Sequence, residues 1–265
     1  MDVPEAPVFP VLKDKVAIIT GGAQGMGKAT ASTSLRAGAK VVIADIKAEQ
    51  GQKVAEELSA LGEIRFVETD ISKSEDVQNL IAQTVSAFGR LDVAINNAGA
   101  PPDQNLLAEF DESYWRKVID INVNGTALCC KYQMQQIKKQ GSKGSIVNIA
   151  STSAYIAAPN IPAYTTSKHA LLGLTKHAAS EGGPLGIRVN AICPGPIYTD
   201  MIAAWLETRS QGAEEFARGG PSLNRMGHPH EVAQGSLWLA SDQSSFVNGT
   251  SLLIDGGYLA NSRYQ

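Results

Sequence analysis

"VAIITGGAQGMGKATASTSLRAGAKVVIAD", Val16–Asp45, decides the fold. Val16–Thr20 is a short apolar, β-branched run with the composition of a buried strand. A glycine-rich turn, Thr20–Gly27, follows it. Gly27–Ala37 then has helical composition, and Val41–Asp45 is a second apolar strand that ends on an acid. Strand, helix, strand within one such stretch is a βαβ unit, which makes the two strands parallel.

The same alternation runs outward along the chain. Further strand-like runs are Ile64–Asp70, Val93–Gly99, Ser145–Ser151, Ile187–Gly195 and Ser251–Gly257. Helical segments lie between them, at Ala48–Leu61, Ser74–Phe88, Asp111–Lys139, Ala163–Ser180 and Pro229–Ala240. Near-continuous apolar strands separated by helices indicate a parallel sheet covered on both faces. The expected fold class is α/β: one Rossmann-like, doubly wound domain over 13–265, its seven-stranded parallel sheet flanked by helices. Residues 1–12, with Pro4, Pro7 and Pro10, are expected to form an extended arm. No linker or repeat divides the rest.

Composition narrows the class of function. The 265 residues carry a formal net charge of -3 with both signs interspersed, which gives no support to a nucleic-acid surface. No apolar run approaches the ~18–20 residues of a membrane span, and the N-terminus shows no secretory leader. A cytoplasmic protein is therefore expected. Cys129, Cys130 and Cys193 are an odd set with an adjacent pair, which suggests buried thiols rather than a disulfide framework. The four histidines lack ligand spacing, so no metal is expected.

Ligands of doubly wound sheets bind beyond the carboxyl ends of the strands. Gly21, Gly25 and Gly27 after the first strand form G-x-x-x-G-x-G, which permits a tight turn and close approach to a diphosphate. Asp45, at the end of the second strand, can accept hydrogen bonds from both hydroxyls of an adenosine ribose and would repel a 2′-phosphate. Gln24, not a cation, sits in the middle of the loop. NAD is thus favoured over NADP, although Lys47 lies nearby. Asp70, after the third strand, can cap the next helix or contact adenine. In "NNAG", Asn96–Gly99, the asparagines can tie strand ends together, and Gly99 lets the backbone approach a cofactor.

Ser151 ends the fifth strand, and Tyr164 follows thirteen residues later. Tyr164 and Lys168, at i and i+4, share one helix face. A nearby ammonium would favour the phenolate and bring the phenol toward acid/base use near neutral pH. Taken alone, such a pair is common and specifies nothing.

In combination, "TGGAQGMG", Asp45, Asp70, "NNAG", "NVNG", Ser151, "YTTSK" and "PGPIYT" resemble the short-chain dehydrogenase/reductase family, over roughly 13–260. The resemblance implies a catalytic tetrad of Asn122, Ser151, Tyr164 and Lys168. Asn124 also lies in "NVNG", but the N-x-x-G spacing to Gly125 selects Asn122. By the same resemblance, Tyr164 exchanges the proton and Ser151 orients the substrate oxygen. Lys168 holds the nicotinamide ribose and lowers the Tyr164 pKa, and Asn122 holds a helix kink and a water. Cofactor contacts are implied at Gly21, Gln24, Gly25, Met26 and Gly27, and at Asp45, Asp70 and Ile71. They are also implied at Asn97, Ala98 and Gly99, at Pro194, Gly195, Ile197 and Thr199, and at Tyr164 and Lys168.

The implied reaction is hydride transfer between NAD(H) and a secondary alcohol or ketone. Around the reacting atoms, Pro101–Asp103 and Ile156–Pro159 are pocket candidates, mostly apolar. The resemblance places a substrate lid over about 199–227, with Met201 and Trp205 on an apolar inner face; an ordinary amphipathic helix is the competing reading. Substrate contacts are then expected from Ser151, Tyr164, Ile156, Met201 and Trp205. An apolar or cyclic alcohol fits these residues, while Arg209, Arg218 and Arg225 could instead serve an anion. The resemblance also implies a homotetramer or homodimer. Two other functions share the scaffold: a non-redox isomerase or cyclase, and a catalytically silent dinucleotide sensor. The intact tetrad argues against the sensor.

Overall fold

The computed structural model describes residues 6–199, 202–203 and 220–260. The opening stretch folds as β1 (Val16–Thr20), α1 (Gly25–Arg36) and β2 (Lys40–Asp45). β1 and β2 pair in parallel, Val16 opposite Lys40 and Thr20 opposite Ala44. Next come α2 (Ala48–Leu58), β3 (Ile64–Glu68), α3 (Ser74–Phe88), β4 (Val93–Asn96) and α4 (Glu112–Ile119). They are followed by α5 (Thr126–Lys139), β5 (Gly144–Ile149), α6 (Pro162–Gly182) and β6 (Ile187–Pro194). Finally, α7 (Pro229–Ala240) precedes β7 (Ser251–Ile254).

The seven strands form one sheet in the order β3-β2-β1-β4-β5-β6-β7, and every pairing is parallel. Successive residues of a strand point to opposite faces. Ala17 and Ile19 accordingly join a core with Leu35 of α1, Val54 and Leu58 of α2 and Val232 of α7. Ile18 joins the other, with Leu80 of α3, Ile137 of α5 and Ala178 of α6. Both faces are covered, which is why the strands read as continuous apolar runs. Ahead of β1, Leu12 is buried in the first core, with Val8 and Val11 packed on it.

Strand order reverses between β1 and β4, the place where open α/β sheets bind ligands. The loops after β1, β2, β4, β5 and β6 converge on that crevice. Two departures from the sequence pattern lie beside it. Asp111–Lys139 is not one continuous helix: Asp120–Gly125 is a π-helical turn between α4 and α5. It forms where Gly125 packs on Ile71 so closely that a Cβ would lie 2.9 Å from Ile71 Cγ1. Several strands also end earlier than their apolar runs, leaving Asp70, Asn97–Gly99 and Ser151 in the loops. Among the described residues, no helix is long and apolar enough to cross a membrane.

Candidate active site

The first loop is held open as a cradle. Gly21 and Gly25 adopt φ of +66° and +52°, a region that favours glycine. A Cβ on Gly27 would lie 2.0 Å from the Gly21 carbonyl oxygen, so the turn into α1 tolerates no side chain there. α1 has no capping side chain and no acid in its first turn. Its amides, with the positive end of the helix dipole, therefore suit the phosphates of a dinucleotide. A Gly27→Ala change should force the loop apart and weaken dinucleotide binding by on the order of tenfold or more. Titration of the intrinsic fluorescence with reduced dinucleotide checks this.

Asp45 closes the adenosine end. Its carboxylate accepts the Ala23 amide at 3.2 Å and the Lys47 amide at 3.1 Å. The Lys47 ammonium reaches across the loop to Gln24 Oε1 at 2.8 Å. Asp70 does not take a free posture toward adenine: its Oδ1 accepts both the amide and the hydroxyl of Ser72. Ile71, beside it, is buried with Val77 and Cys129.

The NNAG segment ties the cradle to the sheet. Asn97 Nδ2 donates to the carbonyls of Thr20 and Gly21, at 3.0 and 3.2 Å. The amides of Asn97 and Ala98 both donate to Thr20 Oγ1. Asn96 points into the interior, where its amide bonds Asn148 and Gln133 in a buried polar layer. Gly99 borders the reacting end, since a Cβ there would stand 3.2 Å from Asn122 Oδ1 and 3.8 Å from Lys168 Nζ. On the far side, Thr199 Cγ2 would stand 3.4 Å from a Cβ on Gly25, so the end of "PGPIYT" reaches the glycine loop. Ile197 is 4% exposed and packs in the first core, paired as a bridge with Gly227. Its side chain belongs to the core, and only its backbone is left for a ligand. Pro194 ends β6, and Gly195 packs on Asp255 so closely that a Cβ would lie 2.8 Å from the Asp255 Cα.

Three of the reacting candidates gather between β5 and α6. Pro162 opens α6, where its missing N–H is no loss. The Ser151 hydroxyl lies beside the Tyr164 phenol, close enough to favour its ionised form. Lys168 Nζ lies 5.4 Å from the centre of the Tyr164 ring and donates to the Ile149 carbonyl at 3.0 Å. Burial pulls the Lys168 ammonium down to about 8. The expected lowering of the phenol is not what this geometry produces. Burial pushes Tyr164 above the ordinary tyrosine range, with the nearby Ser151 hydroxyl opposing it. The ammonium spends a hydrogen bond on the Ile149 carbonyl, and its effect on the phenol does not outweigh desolvation.

Asn122, the fourth candidate, sits in the π-turn, 1% exposed. Its Oδ1 accepts the Ala100 amide at 2.7 Å, and its Nδ2 donates to Ser167 Oγ at 3.0 Å. Both ends of the side chain are thus tied to protein.

Of the substrate candidates, Ile156 is partly buried four residues past the Thr152 that follows Ser151. Met201 and Trp205 lie outside the described residues, as does most of the 199–227 segment. Asp103 departs from its reading as a pocket wall. It is 6% exposed, and its carboxylate accepts the amides of Ala163 and Tyr164. Sequence reasoning also missed Thr20 and Ser167. Thr20 could have been found as the hydroxyl residue ending the first strand, and Ser167 as the i+3 neighbour of Tyr164. Asp103 acts 60 residues along the chain and leaves no local signal.

Another cavity, about 810 Å³, lies at the opposite, amino end of the strands, lined among others by Lys15, Asp92, Lys143 and Arg188. Two of these charges, Asp92 and Arg188, are already engaged. Asp92 accepts from Arg90 and the Val16 amide, and Arg188 donates to the carbonyls of Leu239, Ser241 and Val247. Among the described residues no cluster of His, Cys, Asp and Glu could hold a metal.

Comparison with known proteins places this geometry. Residues 21–259 match the family model described as enoyl-(acyl carrier protein) reductase. A short chain dehydrogenase/reductase of Aspergillus oryzae is 42% identical, over 93% of this chain and 95% of that protein. The 2,5-dichloro-2,5-cyclohexadiene-1,4-diol dehydrogenase of Sphingobium indicum is 42% identical, over 94% of this chain and 98% of its own length. The crystal structure of levodione reductase superposes with a TM-score of 0.89 at 35% identity, covering 94% of this chain and 99% of that one.

Proposed function

The chain belongs to the short-chain dehydrogenase/reductase family, whose members are oxidoreductases using a nicotinamide dinucleotide, and on that premise we propose an NAD-linked dehydrogenase of uncharged, cyclic secondary alcohols. The observation that carries this reading is the Ser151 hydroxyl beside the Tyr164 phenol with the Lys168 ammonium 5.4 Å from the phenol ring. Bound in the glycine cradle, the dinucleotide would take the carbinol hydride in oxidation and give it back in reduction. The chain's own residues do the rest. The Ser151 hydroxyl orients the substrate oxygen, and Tyr164 takes its proton in oxidation and returns it in reduction. Lys168 would hold the nicotinamide ribose and keep a positive charge beside the phenolate that forms.

The substrate class rests on what surrounds those atoms. No charged side chain occurs between Ala150 and Ala163, and the one acid in 98–106, Asp103, is committed to α6. Ile156, Ala157, Ala158 and Pro159 offer only apolar surface. A ring alcohol without a phosphate or carboxylate suits such walls, in line with the cyclohexadiene diol in the name of the Sphingobium indicum relative. Turnover of ring alcohols and ketones with each dinucleotide, followed by the absorbance of the reduced nicotinamide, tests the proposal.

The pH dependence has a definite sign. Burial holds the phenol protonated at neutral pH. Oxidation needs the phenolate, so its kcat/KM should rise by up to about tenfold per pH unit between about pH 6 and about pH 8, below the point where Lys168 loses its charge. Reduction uses the neutral phenol and should stay level over the same range. Parallel profiles in both directions would contradict Tyr164 as the proton carrier.

A further inference from the structure

The peptide of Tyr164 is held from both sides by one closed circuit of hydrogen bonds. The Tyr164 amide donates to Asp103 Oδ1 at 3.1 Å. The Tyr164 carbonyl accepts from Ser167 Oγ at 2.7 Å. Ser167 Oγ accepts in turn from Asn122 Nδ2 at 3.0 Å, and Asn122 Oδ1 accepts the Ala100 amide at 2.7 Å. The chain from Ala100 to Asp103 closes the circuit. Asp103, Asn122 and Ser167 are all buried, at 6%, 1% and 0% exposure.

The residue that completes this circuit is unusual in its chemistry. Ile161, the residue just before α6, offers no capping side chain. The first-turn amides of Ala163 and Tyr164 would be orphans inside the protein. Asp103 takes both, at 3.0 and 3.1 Å, from a loop 60 and 61 residues earlier in the chain. A carboxylate there also meets the positive end of a long helix, so the bonds are charge-assisted. The loop that carries it, after β4, runs from Gly99 beside Lys168 along the candidate substrate walls.

We propose that Asp103 is a positioning residue for catalysis: by capping α6 from a distance it fixes the Tyr164 backbone, and with it the reach of the phenol to Ser151 and the substrate oxygen. The proposal rests on Tyr164 being the acid/base of the preceding section. Asp103 does not touch the dinucleotide cradle, which lies at Gly21–Gly27 and Asp45. Its loss should therefore appear in kcat and not in dinucleotide affinity. A small displacement of a reacting group costs on the order of a hundredfold in rate, so Asp103→Ala should lower kcat by about tenfold to a hundredfold.

The test compares Asp103→Ala, Asp103→Asn and Tyr164→Phe. Steady-state turnover of a ring alcohol is measured with NAD, and the dissociation constant of NADH by fluorescence titration. The expected result is a kcat loss in Asp103→Ala at unchanged NADH affinity. Asp103→Asn keeps an acceptor oxygen for one of the two amides and should recover most of that loss. If Asp103→Ala does not fold, Asp103→Asn alone decides: a kcat fall of a few-fold at unchanged NADH affinity supports the proposal. Wild-type kcat in whichever of the two folds as the alanine or, failing it, the asparagine variant overturns it, as does an equal loss of kcat and NADH affinity. Should Tyr164→Phe itself keep full turnover, the acid/base assignment has failed instead, which is a separate result.

Discussion

A Tyr164→Phe variant is expected to lose about three orders of magnitude in kcat while binding NADH as the wild type does. The substitution removes one oxygen and leaves the ring, so the packing of α6 and the Lys168 contact 5.4 Å from the ring centre persist. What goes is the group that moves the proton, and with it a polar contact to the Ser151 hydroxyl. Losing such a contact costs the fold about 1 kcal/mol at most, a small part of a domain's stability. Steady-state kinetics beside a thermal melt separate the two effects. A melting temperature close to wild type with kcat gone is the expected pair of readings. Full turnover would remove Tyr164 from the chemistry.

The second large effect is on dinucleotide choice. Asp45→Ala should lower the preference for NAD over NADP by about a hundredfold, read as the ratio of the two kcat/KM values. Two features act together. The carboxylate that would repel a 2′-phosphate is gone. The Lys47 ammonium, held over the loop by its 2.8 Å bond to Gln24, would then be free to attract that phosphate without an acid beside it. The Ala23 amide loses its acceptor at 3.2 Å, so some affinity for both dinucleotides should be lost as well. An unchanged ratio would mean that Asp45 holds the loop and does not read the ribose.

Much of the architecture was legible because burial on both faces leaves a strong trace in the chain. Val16–Thr20 and Ser74–Phe88 have in the structure the bounds read from composition alone. The loops beyond the strands were legible too, though several strands stop short of their apolar runs, and the structure brings Ser151, Tyr164 and Lys168 together there. Less visible were features set by contacts between distant segments. The break at Asp120–Gly125 answers to Ile71, about fifty residues earlier, and to the bonds Asn122 makes with Ala100 and Ser167. Asp103 reads in the sequence as part of a pocket wall; only the arrival of α6 makes it a cap. The Tyr164 phenol shows the same limit in energetic terms. The i, i+4 spacing correctly put an ammonium near the ring, but spacing carries no information on desolvation, which pushes the phenol the other way.

The most direct test is a spectrophotometric assay of the purified protein with cyclohexanol-sized, uncharged ring alcohols, run separately with NAD and with NADP. Reduced nicotinamide should accumulate with NAD, much more slowly with NADP, and at no measurable rate in a Tyr164→Phe control. A protein that binds NADH yet forms no reduced nicotinamide from any ring alcohol, and consumes none with any ring ketone, would contradict the proposed function.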